Sequence, residues 1–178
     1  ARLDKQLQKK AIENSLRDFE LSGIGLSEDK QQRYGEIVAR LSELNSQFSN
    51  NVLDATMGWE KLIENEAELA GLPESALQAA QQSAESKGLK GYRCTLEIPS
   101  YLPVMTYCEN RALREEMYRA YATRSSEQGP NSGKCDNSKV MEEILRLRVE
   151  LAKLLGFNTY TELSLATKMA ENPQQVLD

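Results

Sequence analysis

Apolar residues recur at three- and four-residue steps through most of the chain, the spacing that gathers them on one face of an α-helix. Leu3, Leu7 and Ala11 fall on one face and Ile12, Leu16 and Phe19 on the next, predicting a helix from the first residues until Ser22-Gly23 and Gly25 stop it. Ser27 is placed to cap a longer helix that runs to about Asn51 to Ala55. Its stripe is Tyr34, Ile37, Val38, Leu41, Leu44, Phe48 and Val52. Asp29, Lys30, Arg33, Glu36, Arg40, Glu43 and Asn50 fill the opposite side, which reads as a solvated face.

The period then shortens to two over residues 57–63, where Trp59 and Lys61 alternate with Gly58, Glu60 and Leu62, and again over 92–98. These segments predict two short strands in an antiparallel ribbon. An Ala/Gln/Glu-rich helix over 74–87, opening after Pro73 and ending at Gly88, bridges them. Two prolines in 99–109 predict a short, irregular helical stretch with Tyr101, Val104, Met105 and Cys108 turned inward. Asn110 caps the next helix, whose apolar positions are Leu113, Met117, Ala120 and Tyr121. Residues 125–137 hold Gly129, Pro130 and Gly133 without periodicity. They predict a mobile surface loop, a plain connector first and a hinge or lid second.

A helix over 140–155 carries two stripes, Val140, Ile144, Leu147, Leu151 and Leu154 beside Met141, Leu145, Ala152 and Leu155, so it needs cover on two sides. Gly156 stops it, and Thr159 with Glu162 forms a capping box for a helix through Leu163, Leu165, Ala166 and Met169. Asn172-Pro173-Gln174-Gln175 opens another helix that is abandoned at Asp178, and no cap precedes the first helix, so both ends read as cut. No fixed repeat period is found. The fold class expected is all-α, a multi-helix bundle with one small two-stranded β ribbon, and the domain organisation a single helical fragment over 1–178.

Composition narrows the chemistry. The 178 residues include no histidine, the usual general base near neutral pH and the commonest ligand of catalytic zinc. Neither a Ser-His-Asp nor an H-E-x-x-H arrangement can be built, so hydrolysis within the chain would rest on carboxylates, lysine or tyrosine. The adjacent pairs Glu115-Glu116 and Glu142-Glu143 point apart on a helix and cannot share a proton, and Glu142 and Glu143 stand at ion-pair spacing from Arg146. Gly23-Ile24-Gly25 lacks the third glycine and the preceding strand of a dinucleotide loop, so it reads as a helix stop. Cys94, Cys108 and Cys135 read as free thiols. A net charge of -5 argues against nucleic acid as a partner, and no apolar run approaches the roughly 20 residues of a membrane span. Tyr92, Tyr101, Tyr107, Tyr118 and Tyr121 crowd one third of the chain, where core packing with the hydroxyl at the edge is the first reading and a peptide or ligand groove the second.

Several segments carry a family likeness: Phe19-Glu20-Leu21-Ser22-Gly23-Ile24-Gly25-Leu26, Arg33-Tyr34-Gly35-Glu36-Ile37, Leu41-Ser42-Glu43-Leu44 and Phe48-Ser49-Asn50-Asn51. It continues in Ile98-Pro99-Ser100-Tyr101-Leu102-Pro103-Val104-Met105, in the run from Leu113-Arg114-Glu115-Glu116-Met117 to Arg124, and from Ile144-Leu145-Arg146-Leu147-Arg148 to Gly156-Phe157. In order and spacing these resemble the thimet oligopeptidase family of zinc metallopeptidases. The resemblance implies a cytoplasmic endopeptidase that trims short peptides in a deep channel between two mostly helical halves. One zinc would be held by the two histidines of H-E-x-x-H and a later glutamate, none of them within this sequence. The chain is then expected to be one wall of that channel from the N-terminal side, inactive alone, partnered by the catalytic remainder of the same polypeptide. No catalytic or metal residue is carried over, and the substrate-binding residues are left unassigned. The alternative is a stand-alone helical protein-interaction module.

Overall fold

The computed structural model describes residues 2–178, with side chains from Lys5 onward, so the predicted place of Leu3 lies outside the described side chains. Two compact units are present, one of residues up to Asn45 with Met141–Asp178, the other Ser46–Val140. The architecture is mostly helical with one small antiparallel ribbon, as the periodicities predict.

The Ser46–Val140 unit is organised around the ribbon. Strand β1, Glu60–Ile63, pairs with β2, Tyr92–Thr95, so that Glu60 faces Thr95 and Ile63 faces Tyr92. Both strands are shorter than the predicted 57–63 and 92–98. Helix α2, Glu28–Met57, keeps its hydrogen bonding to the end, with Gly58 N–H donating to the Asp54 carbonyl at 2.7 Å, and α4, Ile98–Tyr107, takes the last residue of the second segment. Gly91 fixes the start of β2: at its φ of 109° an added Cβ would lie 2.5 Å from the Ile63 carbonyl oxygen. Between the strands stand a 3-10 turn, Glu66–Leu69, whose Asn65 side chain accepts from Ala67 N–H, and helix α3, Glu74–Glu85.

Helix α4 is regular where the prolines predict irregularity. Pro99 sits in its first turn, where amide hydrogens have no intrahelical acceptor, and Pro103 is carried inside the helix. Asn110 caps α5, Arg111–Ala122, by accepting from Leu113 N–H at 3.2 Å. From β1, β2, α4 and α5 come the buried residues Ile63, Cys94, Val104, Leu113 and Met117, joined by Leu69 from the turn and Cys108 from the end of α4, with Trp59, Tyr92, Tyr101 and Met105 packed against them. The i, i+4 spacing of Leu113 and Met117 aims both into this cluster.

In the other unit, α1, Arg2–Leu21, ends where predicted, at Gly23 in a left-handed conformation with φ of 81°. The charged side of α2 is exposed, as predicted, and two of its arginines pair with α7 at the surface. Arg33 donates through Nε and a terminal nitrogen to the two Glu150 oxygens at 2.6 and 2.9 Å, and Arg40 does the same to Glu143 at 2.8 and 2.9 Å. Both acceptors lie on α7, Ser138–Leu154, so seven-residue steps on two antiparallel-running ladders meet in register. Glu143 therefore pairs with Arg40 rather than joining Arg146 in an ion pair. The first stripe of α7 is buried at Val140, Ile144 and Leu147, while Met141 and Leu145 of the second are exposed.

The capping box of Thr159 and Glu162 opens α8, Tyr160–Leu165, which stops short of Met169. Asn172 caps α9, Pro173–Leu177, by accepting from Gln175 N–H at 3.0 Å, and the Gln175 side chain accepts from Glu171 N–H, one residue before the cap.

Candidate functional site

The predicted loop over 125–137 is anchored. It contains a helical turn, α6 at Ser132–Cys135, and its two ends are buried polar residues. Ser125 Oγ donates to the Asn51 carbonyl at 2.9 Å, and the Ser125 carbonyl accepts from Asn137 N–H at 2.9 Å. The Asn137 side chain donates to the Phe48 carbonyl at 3.1 Å and accepts from Asn51 Nδ2 at 2.8 Å. Glycine and proline content misses this because the anchoring atoms are two side chains and their distant backbone partners.

Just before this lock, α4 and α5 bring part of the tyrosine cluster together. The Tyr101 and Tyr121 rings stack with centroids 4.2 Å apart and planes 16° from parallel, and the guanidinium of Arg124 lies 3.7 Å from the Tyr121 centroid. Burial first, then Tyr121 and Tyr118, hold the Tyr101 hydroxyl above the usual phenol range. Tyr92 points elsewhere and donates to Glu66, which raises its pKa. Tyr107 and Tyr118 are largely exposed. The cluster is thus partly core and partly surface.

A cavity of about 190 Å³ opens beside the ribbon, lined by Ala76, Ala80, Ser83, Arg93, Thr95 and Ser100 among others. Its polar groups are already paired: Arg93 donates to Ser83 and Glu60, and Thr95 N–H to Ser100 Oγ at 2.9 Å. What remains is an apolar wall of roughly side-chain size.

The three cysteines are free and buried, and burial followed by the neighbouring Cys108 pushes the Cys94 thiol up to about 11, the opposite of an activated nucleophile. Neither carboxylate pair forms a catalytic dyad: Glu116 accepts from Lys61 at 2.5 Å, and Arg40 holds Glu143 below the usual carboxylate range. Among the described residues no three or more His, Cys, Asp or Glu side chains are grouped to hold a metal ion, and the sequence has no histidine. The residues present therefore do not fit a zinc ion.

The model of peptidase family M3 matches residues 104–178. The chain is 96% identical over 171 residues to oligopeptidase A of Haemophilus influenzae, covering 96% of this chain and 25% of that protein. It is 76% identical over the same length and shares to oligopeptidase A of Escherichia coli. To a probable cytosolic oligopeptidase A of Arabidopsis thaliana it is 46% identical over 172 residues, 93% of this chain and 24% of that protein. The chain spans about a quarter of the length of these curated relatives. It belongs to peptidase family M3, with the oligopeptidase A proteins as its relatives.

Proposed function

We infer that this chain is a non-catalytic, N-terminal-side helical segment of a zinc metalloendopeptidase, one wall of a deep channel in which short peptides are hydrolysed. The observation that carries the reading is the 96% identity to an oligopeptidase A of which the chain spans only 25%, in a sequence without histidine. The metal and the residues that hold it belong to the remainder of the polypeptide, which is also the chain's main partner. There the metal would lower the pKa of its bound water and polarise the scissile carbonyl. The described helices serve that chemistry by shape, excluding folded proteins and leaving room for an extended peptide.

Cytoplasmic location belongs to the same reading. It is supported by the name of the cytosolic plant relative.

A quenched fluorescent peptide tests the reading. The full-length peptidase cleaves it and loses activity to a chelator, while the isolated chain leaves it intact with or without added zinc. Cleavage by the isolated chain would overturn the assignment.

A further inference from the structure

Arg124 completes a column of three flat groups. Tyr121 cannot hold Tyr101 at 4.2 Å and the guanidinium at 3.7 Å on one face, so its ring is sandwiched between them. Stacking on a ring occupies the flat face of a guanidinium and leaves its N–H edge free to donate two parallel hydrogen bonds to a carboxylate. Arg17, Arg33, Arg40 and Arg93 spend that edge on acidic side chains within the chain. Arg124, half-buried, has no such ion pair among the described residues; Arg148, over the Tyr160 ring at 4.9 Å, has none either, but Arg124 adds to its ring contact a stack of two rings and a strained neighbour.

The position of Arg124 is fixed. Ser125, the next residue, is the one non-glycine among the described residues with positive φ, 56°, a conformation costly for a residue with a Cβ. The bonds of Ser125 to Asn51 and Asn137 hold it there. Strain kept next to a cation that is stacked on a ring but has no carboxylate partner among the described residues is the pattern of a preorganised binding group. Beside the column the surface is apolar and open: Ile98 lies one turn before Tyr101 on α4 and Tyr118 one turn before Tyr121 on α5, at 53% and 57% exposure.

A planar anion attached to an apolar group fits this arrangement. The geometry points to Arg124, carried on the stacked Tyr101 and Tyr121, as an anchor for the C-terminal carboxylate of a short peptide whose last side chain rests on exposed apolar surface beside the stack. The inference depends on the reading of the chain as a channel wall, and it gives that wall a role in selecting short peptides by their free end.

The test uses the full-length peptidase and one quenched fluorescent peptide in two forms, free acid and C-terminal amide. Wild type binds the acid better, with a KM about tenfold below that of the amide, the size expected of a charge-assisted hydrogen-bond pair. Arg124→Gln raises KM for the acid about tenfold, leaves the amide unchanged and leaves kcat within about twofold, so the preference disappears. Arg124→Lys, which keeps the charge and loses the planar fork, reduces the preference and serves if the glutamine variant does not fold. An acid-to-amide ratio unchanged by either variant overturns the anchor while the peptidase reading stands. Failure of the wild-type enzyme to cleave both forms overturns the peptidase reading itself. An Arg124-dependent KM that follows a side-chain carboxylate of the peptide and ignores its terminus also overturns the assignment.

Discussion

The Ser46–Val140 unit gathers its core around the ribbon, whereas the unit of residues up to Asn45 and Met141–Asp178 leaves more of its large apolar side chains in water. In the first, Ile63, Val104, Leu113 and Met117 are almost fully buried around the ribbon. In the second, Leu7, Leu16 and Phe19 of α1 and Leu145 of α7 each expose more than half of their surface, at 62%, 58%, 59% and 61%. The amphipathic pattern is equally clean in both. A stripe of apolar residues states which face of a helix seeks cover, and says nothing of whether the cover lies in the same unit. The second unit buries Ile37, Leu44, Ile144 and Leu147 of α2 and α7, and adds two arginine forks between those helices at the surface, where ion pairs add little stability.

The sharpest way to break this contrast is a truncation in each unit. Met117→Ala removes a side chain with no exposed surface and is expected to destabilise the chain by about 2–5 kcal/mol, seen as a lowered urea midpoint. The next effect comes from the buried lock. Asn137→Ala strands the Phe48 carbonyl and the Asn51 amide and should cost about 1–3 kcal/mol in the same titration. Leu16→Ala, by contrast, should change stability by less than about 0.5 kcal/mol, since its side chain already meets water. A loss as large as that of Met117→Ala would show that α1 is covered after all, and would erase the distinction between the units.

The surface forks give the smallest effect and a pH signature. Hydrogen bonds from Arg40 and Arg33 lower the pKa values of Glu143 and Glu150 in the folded chain. A carboxylate lowered on folding stabilises above its unfolded pKa and loses that contribution as pH falls through the folded value. The stability difference between wild type and Glu143→Gln should therefore be present at neutral pH, vanish in acid and shrink in molar salt. A difference that persisted below the carboxylate range would mean that the pair acts through packing.

Thiol chemistry offers a separate check. With all three cysteines free and buried, and Cys94 pushed up to about 11, the folded chain should react with a thiol reagent far more slowly than the urea-unfolded chain.

Local signals were readable from the chain alone. Thr159 with Glu162, Asn110, Asn172 and Gly23 act over three or four residues, and the structure places each at the helix end that its chemistry predicts. Register between distant elements was not readable. Nothing in Arg33 and Arg40 announces that Glu150 and Glu143 lie opposite, because the match depends on where two helices cross. The 125–137 segment misled for the same reason: its glycines and proline report local flexibility, while Ser125 and Asn137 are fixed by backbone atoms of Phe48 and Asn51. The tyrosine crowding pointed to the α4 and α5 segments, but the stacking of Tyr101 on Tyr121 comes from how those two helices meet, and the cation on Tyr121 from the turn that follows α5. The absence of histidine and the family likeness carried the functional reading.

The most direct test of the central claim is to supply the full-length peptidase as two separate polypeptides, this chain and the remainder, and to follow cleavage of a quenched fluorescent peptide. The account predicts that neither piece cleaves alone and that chelator-sensitive activity returns when the two are combined. Full activity of the remainder without this chain, or any activity of this chain without the remainder, would contradict it.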